Sequence, residues 1–443
     1  MNRILILFLI VVLFCSVCSG CSSFQSDPEA LMRPPVMTEE QTEIYNAAKQ
    51  IIGDDVIFKY PLAQGNHSAF VFYDVDGDQQ EEAIVFYQKE TDANVRMNLL
   101  DQVGGVWYSI GDYEGAGTDI GELSFAHLRS HQQVDLVLEW SNVNALDMTI
   151  TVMSFENGRL NPAFSNMYAA KFIGDMDKDG VDELLIFTGN RGTVSPAAML
   201  VECIADGSLI VSSDCLMCPD VYEYRNIQKS VTSNGEMCVV LDGSRAQGAL
   251  STEIIAYADG KLKNLIYSEH YGLDHTERTY RTTDTLSTDI DYDGMVEIPF
   301  QQQLPSSDTA NGVLEPVFLT NWTKLVDGEF QTMMSVVINE TNGYYFIYPS
   351  QWIGKVTVVA TQSNEWDFCP YEERMGELST GSSLVTIKSF SKNEYFDDFD
   401  TKDYEKIIEN EKHAYYAKVQ YQPNSDLFLS FEEVAANFIP ISQ

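Results

Sequence analysis

The stretch DMDKDGVDELLIFT, Asp175 to Thr188, decides the fold. Its first nine residues set Asp175, Asp177, Asp179 and Glu183 around Gly180, and the apolar run that follows has the length and composition of a buried strand. Two more acidic nonapeptides share the pattern. They are DVDGDQQEE (Asp74 to Glu82), followed by AIVFY, and DIDYDGMVE (Asp289 to Glu297), followed by IPF. The gaps of 101 and 114 residues are about twice the length of a four-stranded unit, and degenerate copies lie halfway. HLRSHQQVDLVLEW places His127, Arg129, His131 and Asp135 at the acidic positions, and QKSVTSNGEMCVVL places Gln228, Ser230, Thr232 and Glu236 there. Starts at 74, 127, 175, 228 and 289 make a repeat of about fifty residues.

Each unit continues with a further strand and a tight turn, as in MTITVMSFENGRL, MLVECIADGSLI and EIIAYADGKLKNL. Apolar strands joined by Asn-Gly and Asp-Gly turns are antiparallel hairpins, and stacking them radially protects their edges. The expected fold is therefore mainly β: a propeller of five to six blades over residues 55–332, with a separate small α+β domain over 333–443. At the C-terminal end TKDYEKIIENE reads as a helix among strands.

The acidic loops have a chemical logic. Calcium is a hard cation that takes six to eight oxygens in flexible geometry. Asp289, Asp291 and Asp293 alternate so that their carboxylates converge, Gly294 permits a positive-φ bend, and Glu297 closes the site. Asp175, Asp177, Asp179 and Glu183 take the same roles, as do Asp74, Asp76, Asp78 and Glu82. The first copy has Gln79 where the bend glycine belongs, which marks it as the weakest site. In the second unit Arg129 and the two histidines face Asp135, so salt bridges should replace the ion. The twelfth positions, Val85, Ile186 and Phe300, are apolar, which excludes EF-hand and dockerin loops.

The D-x-D-x-D-G-x-x-[DE] loop followed by a strand resembles the FG-GAP or VCBS repeats of calcium-loop propellers, which also occur in integrin α chains. The resemblance covers residues 55–330 and implies a calcium-stabilised blade assembly with a binding or scaffolding role. A shorter likeness, GYYFIYPSQW, is similar to the start of PsbP/Mog1-like domains; its Tyr344, Phe346, Tyr348 and Trp352 read as core residues.

Across 443 residues, 66 acidic against 27 basic side chains give a net charge of -39, which repels phosphate and excludes nucleic acid as a partner. Hydrophobic residues at 44 % and only 14 prolines exclude a disordered acidic chain. The apolar run Ile4 to Phe14, behind Asn2 and Arg3, is too short to span a bilayer and reads as a signal peptide over residues 1–20. Ser19, Gly20 and Cys21 resemble the lipobox of bacterial lipoproteins, with Cys18 where Leu or Val is usual, which implies lipidation of Cys21 and a lipid anchor at the cell surface. Residues 22–37 read as a tether, and 38–53 as an amphipathic helix with Thr38 as N-cap and Ile44, Ala48, Ile51 and Ile52 on one face.

If Cys21 is acylated, Cys203, Cys215, Cys218, Cys238 and Cys369 remain; Cys215 and Cys218 have metal-knuckle spacing, but buried thiols or one disulfide fit better than zinc. No GxSxG, HExxH or phosphate-loop motif is present. His270 and His275, beside Glu269, Asp274 and Glu277, are the best candidates for a concealed acid-base or metal site. The expected protein is a lipid-anchored surface lipoprotein that engages a protein or cell-wall polymer. A hydrolase acting on envelope glycans or peptides is the alternative, and a purely structural envelope component a third reading.

Overall fold

The structure, a computed structural model, describes residues 38–63, 68–142, 148–189, 195–267, 278–305, 316–362, 364–374, 377–392, 403–422 and 425–441. The apolar leader, Cys21, the tether, His270 and His275 lie outside the described residues.

Helix α1 (Glu39–Ile52) opens the described chain. Thr38 caps it in a reciprocal box with Gln41, Glu39 and Glu40 complement the N-terminal dipole, and Gly53 ends it at a φ of 90°. Its buried stripe is Ile44, Ala48 and Ile52. Ile51, expected on that face, is 57 % exposed, because the sheet below follows the i, i+4, i+8 row.

Five antiparallel sheets follow in chain order. Sheet 1 holds β1 (Val56–Lys59) and β2 (Phe70–Tyr73), both along the same edge of β3 (Glu82–Lys89), then β4 (Arg96–Val103) and β5 (Val106–Glu114). Sheet 2 is β6 (Asp119–Ser130), β7 (Gln133–Ser141), β8 (Met148–Glu156) and β9 (Arg159–Tyr168). Sheet 3 is β10 (Ala170–Gly174), β11 (Glu183–Phe187), β12 (Ala197–Cys203) and β13 (Leu209–Leu216). Sheet 4 is β14 (Glu223–Val231), β15 (Met237–Ser244), β16 (Leu250–Ala258) and β17 (Lys261–Asn264). Sheet 5 is β18 (Ile298–Gln303), β19 (Phe318–Val326), β20 (Glu329–Asn339) and β21 (Tyr344–Ile347). Apart from β1, which skips β2 to pair with β3, the strands of these five sheets pair with their sequence neighbours, as the hairpin pattern requires.

The continuous apolar runs have a simple cause: β3, β7, β11 and β15, in sheets 1 to 4, are buried on both faces. Ala83, Val85 and Tyr87 pack under α1, whereas Ile84 and Phe86 meet Leu136, Leu138 and Trp140 of sheet 2. Leu184 and Ile186 face Val137 of sheet 2; Leu185 and Phe187 face Val239 and Leu241 of sheet 4. Cys238 and Val240 then meet Val296 and Ile298 of sheet 5. Side chains alternate along a strand, so an unbroken apolar run needs two covered faces. Truncating one such leucine to alanine costs about 2–5 kcal/mol.

These contacts run in a line from α1 through sheets 1 to 5. The far face of sheet 5 is covered by the C-terminal region, where Tyr344, Phe346 and Trp352 join Val356, Phe368, Ile387 and Tyr415 in one core. No hydrophobic cluster of the described residues joins sheet 1 to sheet 5.

The C-terminal region forms sheet 6, from β22 (Val356–Gln362), β23 (Glu365–Arg374), β24 (Glu377–Thr380), β25 (Val385–Ser391), β26 (Glu405–Glu409) and β27 (His413–Val419). The expected boundary at 332–333 falls inside β20, and the last strand, β28 (Phe438–Pro440), returns to pair with β21. The helix expected in TKDYEKIIENE is instead β26: pairing with β27 outweighs helix propensity, and its Lys and Glu side chains suit an edge strand. The helix of this region is α2 (Phe431–Asn437), capped by Ser430 and Glu433. Tyr344, Phe346, Tyr348 and Trp352 are all buried.

Candidate metal centres

Each acidic nonapeptide is the turn of a hairpin, closed by a pair between the residue before it and its ninth residue. These pairs are Tyr73 with Glu82, Gly174 with Glu183 and Thr288 with Glu297. The degenerate copies fall at the corresponding places, between β6 and β7 and between β14 and β15.

Inside the loops the carboxylates accept backbone N–H groups in one repeated scheme. The ninth residue accepts from the second: Glu82 from Val75 at 2.6 Å, Glu183 from Met176 at 2.7 Å, Glu297 from Ile290 at 2.8 Å. The first accepts from the sixth: Asp74 from Gln79 at 3.0 Å, Asp175 from Gly180 at 3.0 Å, Asp289 from Gly294 at 2.9 Å. The third and fifth accept two residues on, as Asp177 does from Asp179 and Asp293 from Met295. These bonds turn the aspartates inward on a tight loop.

Two positions in every loop take positive φ, the fourth and the sixth. They are Gly77 and Gln79, Lys178 and Gly180, and Tyr292 and Gly294. Each loop thus carries one glycine and one strained non-glycine residue. The glycine missing at Gln79 is offset by the one at Gly77, which removes the backbone reason for ranking the first loop weakest.

Ligand atoms of Asp74, Asp76 and Asp78 lie within 4.8 Å of one another, as do those of Asp175, Asp177 and Glu183, and those of Asp289, Asp291, Asp293 and Glu297. Asp179 and Glu82 stand outside their own loops' tightest groups. Acidic clusters of this kind can hold a metal ion. Glu82 is fully buried, and its Oε1 has no hydrogen-bond partner; Asp175 Oδ1 is buried and orphaned in the same way. Such an oxygen costs desolvation free energy until a donor or a cation meets it. The first two loops therefore fit a hard divalent ion.

Their electrostatics agree. Burial pushes Glu82 up to about 7, against the pull of the Val75 amide, and the Asp76 charge adds to the rise. Glu183 is also pushed up to about 7 by burial, opposed by the Met176 amide and reinforced by Asp177, Asp179 and Asp175. A cation would favour the ionised form of both.

The third loop differs. The Lys324 ammonium, from β19 and 5 % exposed, lies 2.8 Å from Asp291 Oδ2, 2.6 Å from Asp293 Oδ2 and 2.9 Å from Glu297 Oε1. Burial pulls its pKa down, but the hydrogen bonds to Asp291, Asp293 and Glu297 outweigh it and the net shift is upward. The same ammonium holds Asp293 below the usual carboxylate range. Sequence reasoning missed this residue. The signal was a lone basic residue in the apolar strand FLTNWTKLV, but only the register of β18 on β19 brings it to the loop.

In the degenerate second unit Arg129 lies 3.0 Å from buried Asp135 and also pairs with Glu156. His127 bonds the Gln133 carbonyl at 3.0 Å rather than Asp135. The loops also tie neighbouring sheets. Lys178 donates to the Gly235 carbonyl at 2.5 Å, Asp182 exchanges hydrogen bonds with the His127 backbone, and Val231 donates to the Gly294 carbonyl at 3.1 Å.

The five cysteines form no disulfide among the described residues, and burial pushes Cys215 up to about 12 and Cys238 and Cys369 to about 11. No cysteine belongs to a metal-ligating group of the described residues. A cleft of about 620 Å³ opens between sheets 5 and 6, lined among others by Asp284, Gln301, Asn339, Glu340 and Trp366. Its Asp284 is held by Arg225 at 2.5 Å.

No family model and no curated protein sequence matches the chain. Among solved structures it is similar to an exotype rhamnogalacturonan lyase at 11 % identity and a TM-score of 0.32, over 71 % of this chain and 54 % of that one. A Bacillus licheniformis rhamnogalacturonan lyase gives 15 % and 0.33, over 71 % and 60 %. A 6-phosphogluconolactonase-like protein from Bacteroides uniformis gives 13 % and 0.30, over 74 % and 95 %. The chain spans about half the length of the first of these. At such scores the likenesses carry no functional argument.

Proposed function

We propose that this protein is a lipid-anchored, extracytoplasmic binding or scaffolding lipoprotein whose propeller-type blades are stabilised by calcium in the loops Asp74–Glu82 and Asp175–Glu183. The supporting observation is the buried, partnerless Glu82 Oε1 beneath a loop whose three aspartates already converge. The five meanders act as blades set in an open arc, closed at one end by α1 and at the other by the C-terminal region. A protein or cell-wall polymer is the partner, and the Cys21 lipid supplies the membrane attachment.

Calcium is the ion of choice because every donor is oxygen and its coordination sphere tolerates irregular geometry, whereas a smaller octahedral cation does not. With an extracellular-type Kd near ~0.1 mM and roughly 1 mM calcium, each site contributes about 1.4 kcal/mol. Two sites give about 3 kcal/mol, a sizeable share of a net stability of about 5–15 kcal/mol. The test is a melt of the full-length chain in chelator and in 1 mM calcium, beside the variant D76A/D177A. A calcium-dependent rise that the variant lacks supports the reading; equal melts of wild type in both buffers refute it.

A further inference from the structure

The three acidic loops share one backbone, and one register position separates them. In sheet 1 Ala83 pairs with Leu100, so the residue one place further along, opposite Glu82, is Asp101. In sheet 3 Leu184 pairs with Val201, which sets Glu202 opposite Glu183. In sheet 5 Ile298 pairs with Thr323, which sets Lys324 opposite Glu297. The neighbouring strand thus brings a carboxylate to two loops and an ammonium to the third. That ammonium lies within 2.6–2.9 Å of three of the loop's four acidic side chains.

We propose that Lys324 is the built-in cation of the loop Asp289–Glu297, so that this loop, the one whose four acidic side chains all converge, takes no divalent ion, while the Asp101-bearing and Glu202-bearing loops do. The inference rests on the calcium reading of the other two loops and adds a site-selection rule to it. A divalent ion entering the third loop would have to expel a buried ammonium or sit beside it. Close approach of like charges and the loss of two charge-assisted hydrogen bonds, to Asp291 and Asp293, and of the ion pair with Glu297 all oppose this. The fixed ammonium keeps the Asp289–Glu297 hairpin folded at any calcium level, where Val296 and Ile298 join the core shared with sheet 4.

The experiment counts ions. Calcium chloride alone is titrated calorimetrically into the full-length chain and into K324E and K324Q, each first checked for a cooperative melt. The expected counts are two per wild-type chain and three in each variant, with the added ion lost again in K324Q/D291A. Three ions in the wild type overturn the inference and leave the calcium reading intact. Two ions in all three folded proteins also overturn it. No ion in the wild type but one in K324Q refutes the calcium reading and upholds the lysine's role; none in any protein refutes both.

Should both substitutions unfold the chain, the wild type still decides, because Tyr292, 92 % exposed, sits inside the third loop. Terbium bound there would be sensitised by Tyr292. Y292L is expected to leave terbium luminescence unchanged, and a fall of several-fold would overturn the inference.

Discussion

The loops Asp74–Glu82 and Asp289–Glu297 are built alike and are neutralised differently. Both close on a buried glutamate, both bend through positive φ at their fourth and sixth residues, and both turn carboxylates inward with the same amide bonds. Neither Glu82 Oε1 nor Glu297 Oε1 has a hydrogen bond of its own, but among the described residues only Glu297 Oε1 has a cation, the Lys324 ammonium at 2.9 Å, which also meets Asp291 and Asp293. The comparison teaches that a loop consensus specifies geometry, whereas the charge brought by the adjacent strand decides what fills it. Arg129 in sheet 2 is a second solution, an internal cation supplied from the hairpin itself.

The contrast breaks or sharpens under four measurements. The largest effect is expected from E297A, which strips the buried Lys324 of its fully buried partner. Removing one member of a buried ion pair costs about 3–5 kcal/mol, and the half-exposed Asp291 and Asp293 place this one near the lower end. Denaturant midpoints should fall equally in chelator and in calcium; a loss seen only with calcium would show that the third loop works like the first. D76A/D177A should behave in the opposite way, losing about 3 kcal/mol in 1 mM calcium and little in chelator.

Acidity gives the third. Glu82 and Glu183 have folded-state pKa values raised to about 7, above their unfolded values, so in chelator the folded chain binds more protons between the two and stability falls as pH rises through that window. Calcium replaces those protons. The calcium-induced gain in Tm should therefore grow from pH 5 to pH 8, and a gain independent of pH would contradict the assignment. The smallest effect belongs to Q79G, which relieves a non-glycine residue at a φ of 72°. It should stabilise the chain by about 0.5–1 kcal/mol, read from urea midpoints, with calcium affinity nearly unchanged.

Much of this was legible in the sequence. Of five segments at roughly fifty-residue spacing, four fall at the turn into the doubly buried strand of sheets 1 to 4 and the fifth just before β18 of sheet 5, because a turn with acidic residues and glycine followed by an apolar run is a local signal. The capping box of α1 was equally local. Long-range pairing was not readable. Lys324 lies 27 residues beyond Glu297, and only the β18–β19 register joins them. TKDYEKIIENE carries helix-favouring residues, yet β27 offered an edge that turned part of it into strand. The linear order of the cores was also hidden, because apolar runs show that a strand is covered on both faces and not by what.

The most direct test is a long-wavelength anomalous diffraction map from crystals of the full-length chain grown with calcium. Two peaks are predicted, one within the carboxylates of Asp74, Asp76 and Asp78 and one within those of Asp175, Asp177 and Glu183, with only Lys324 between Asp291, Asp293 and Glu297. A peak in the third loop, or none in the first two, would contradict the assignment.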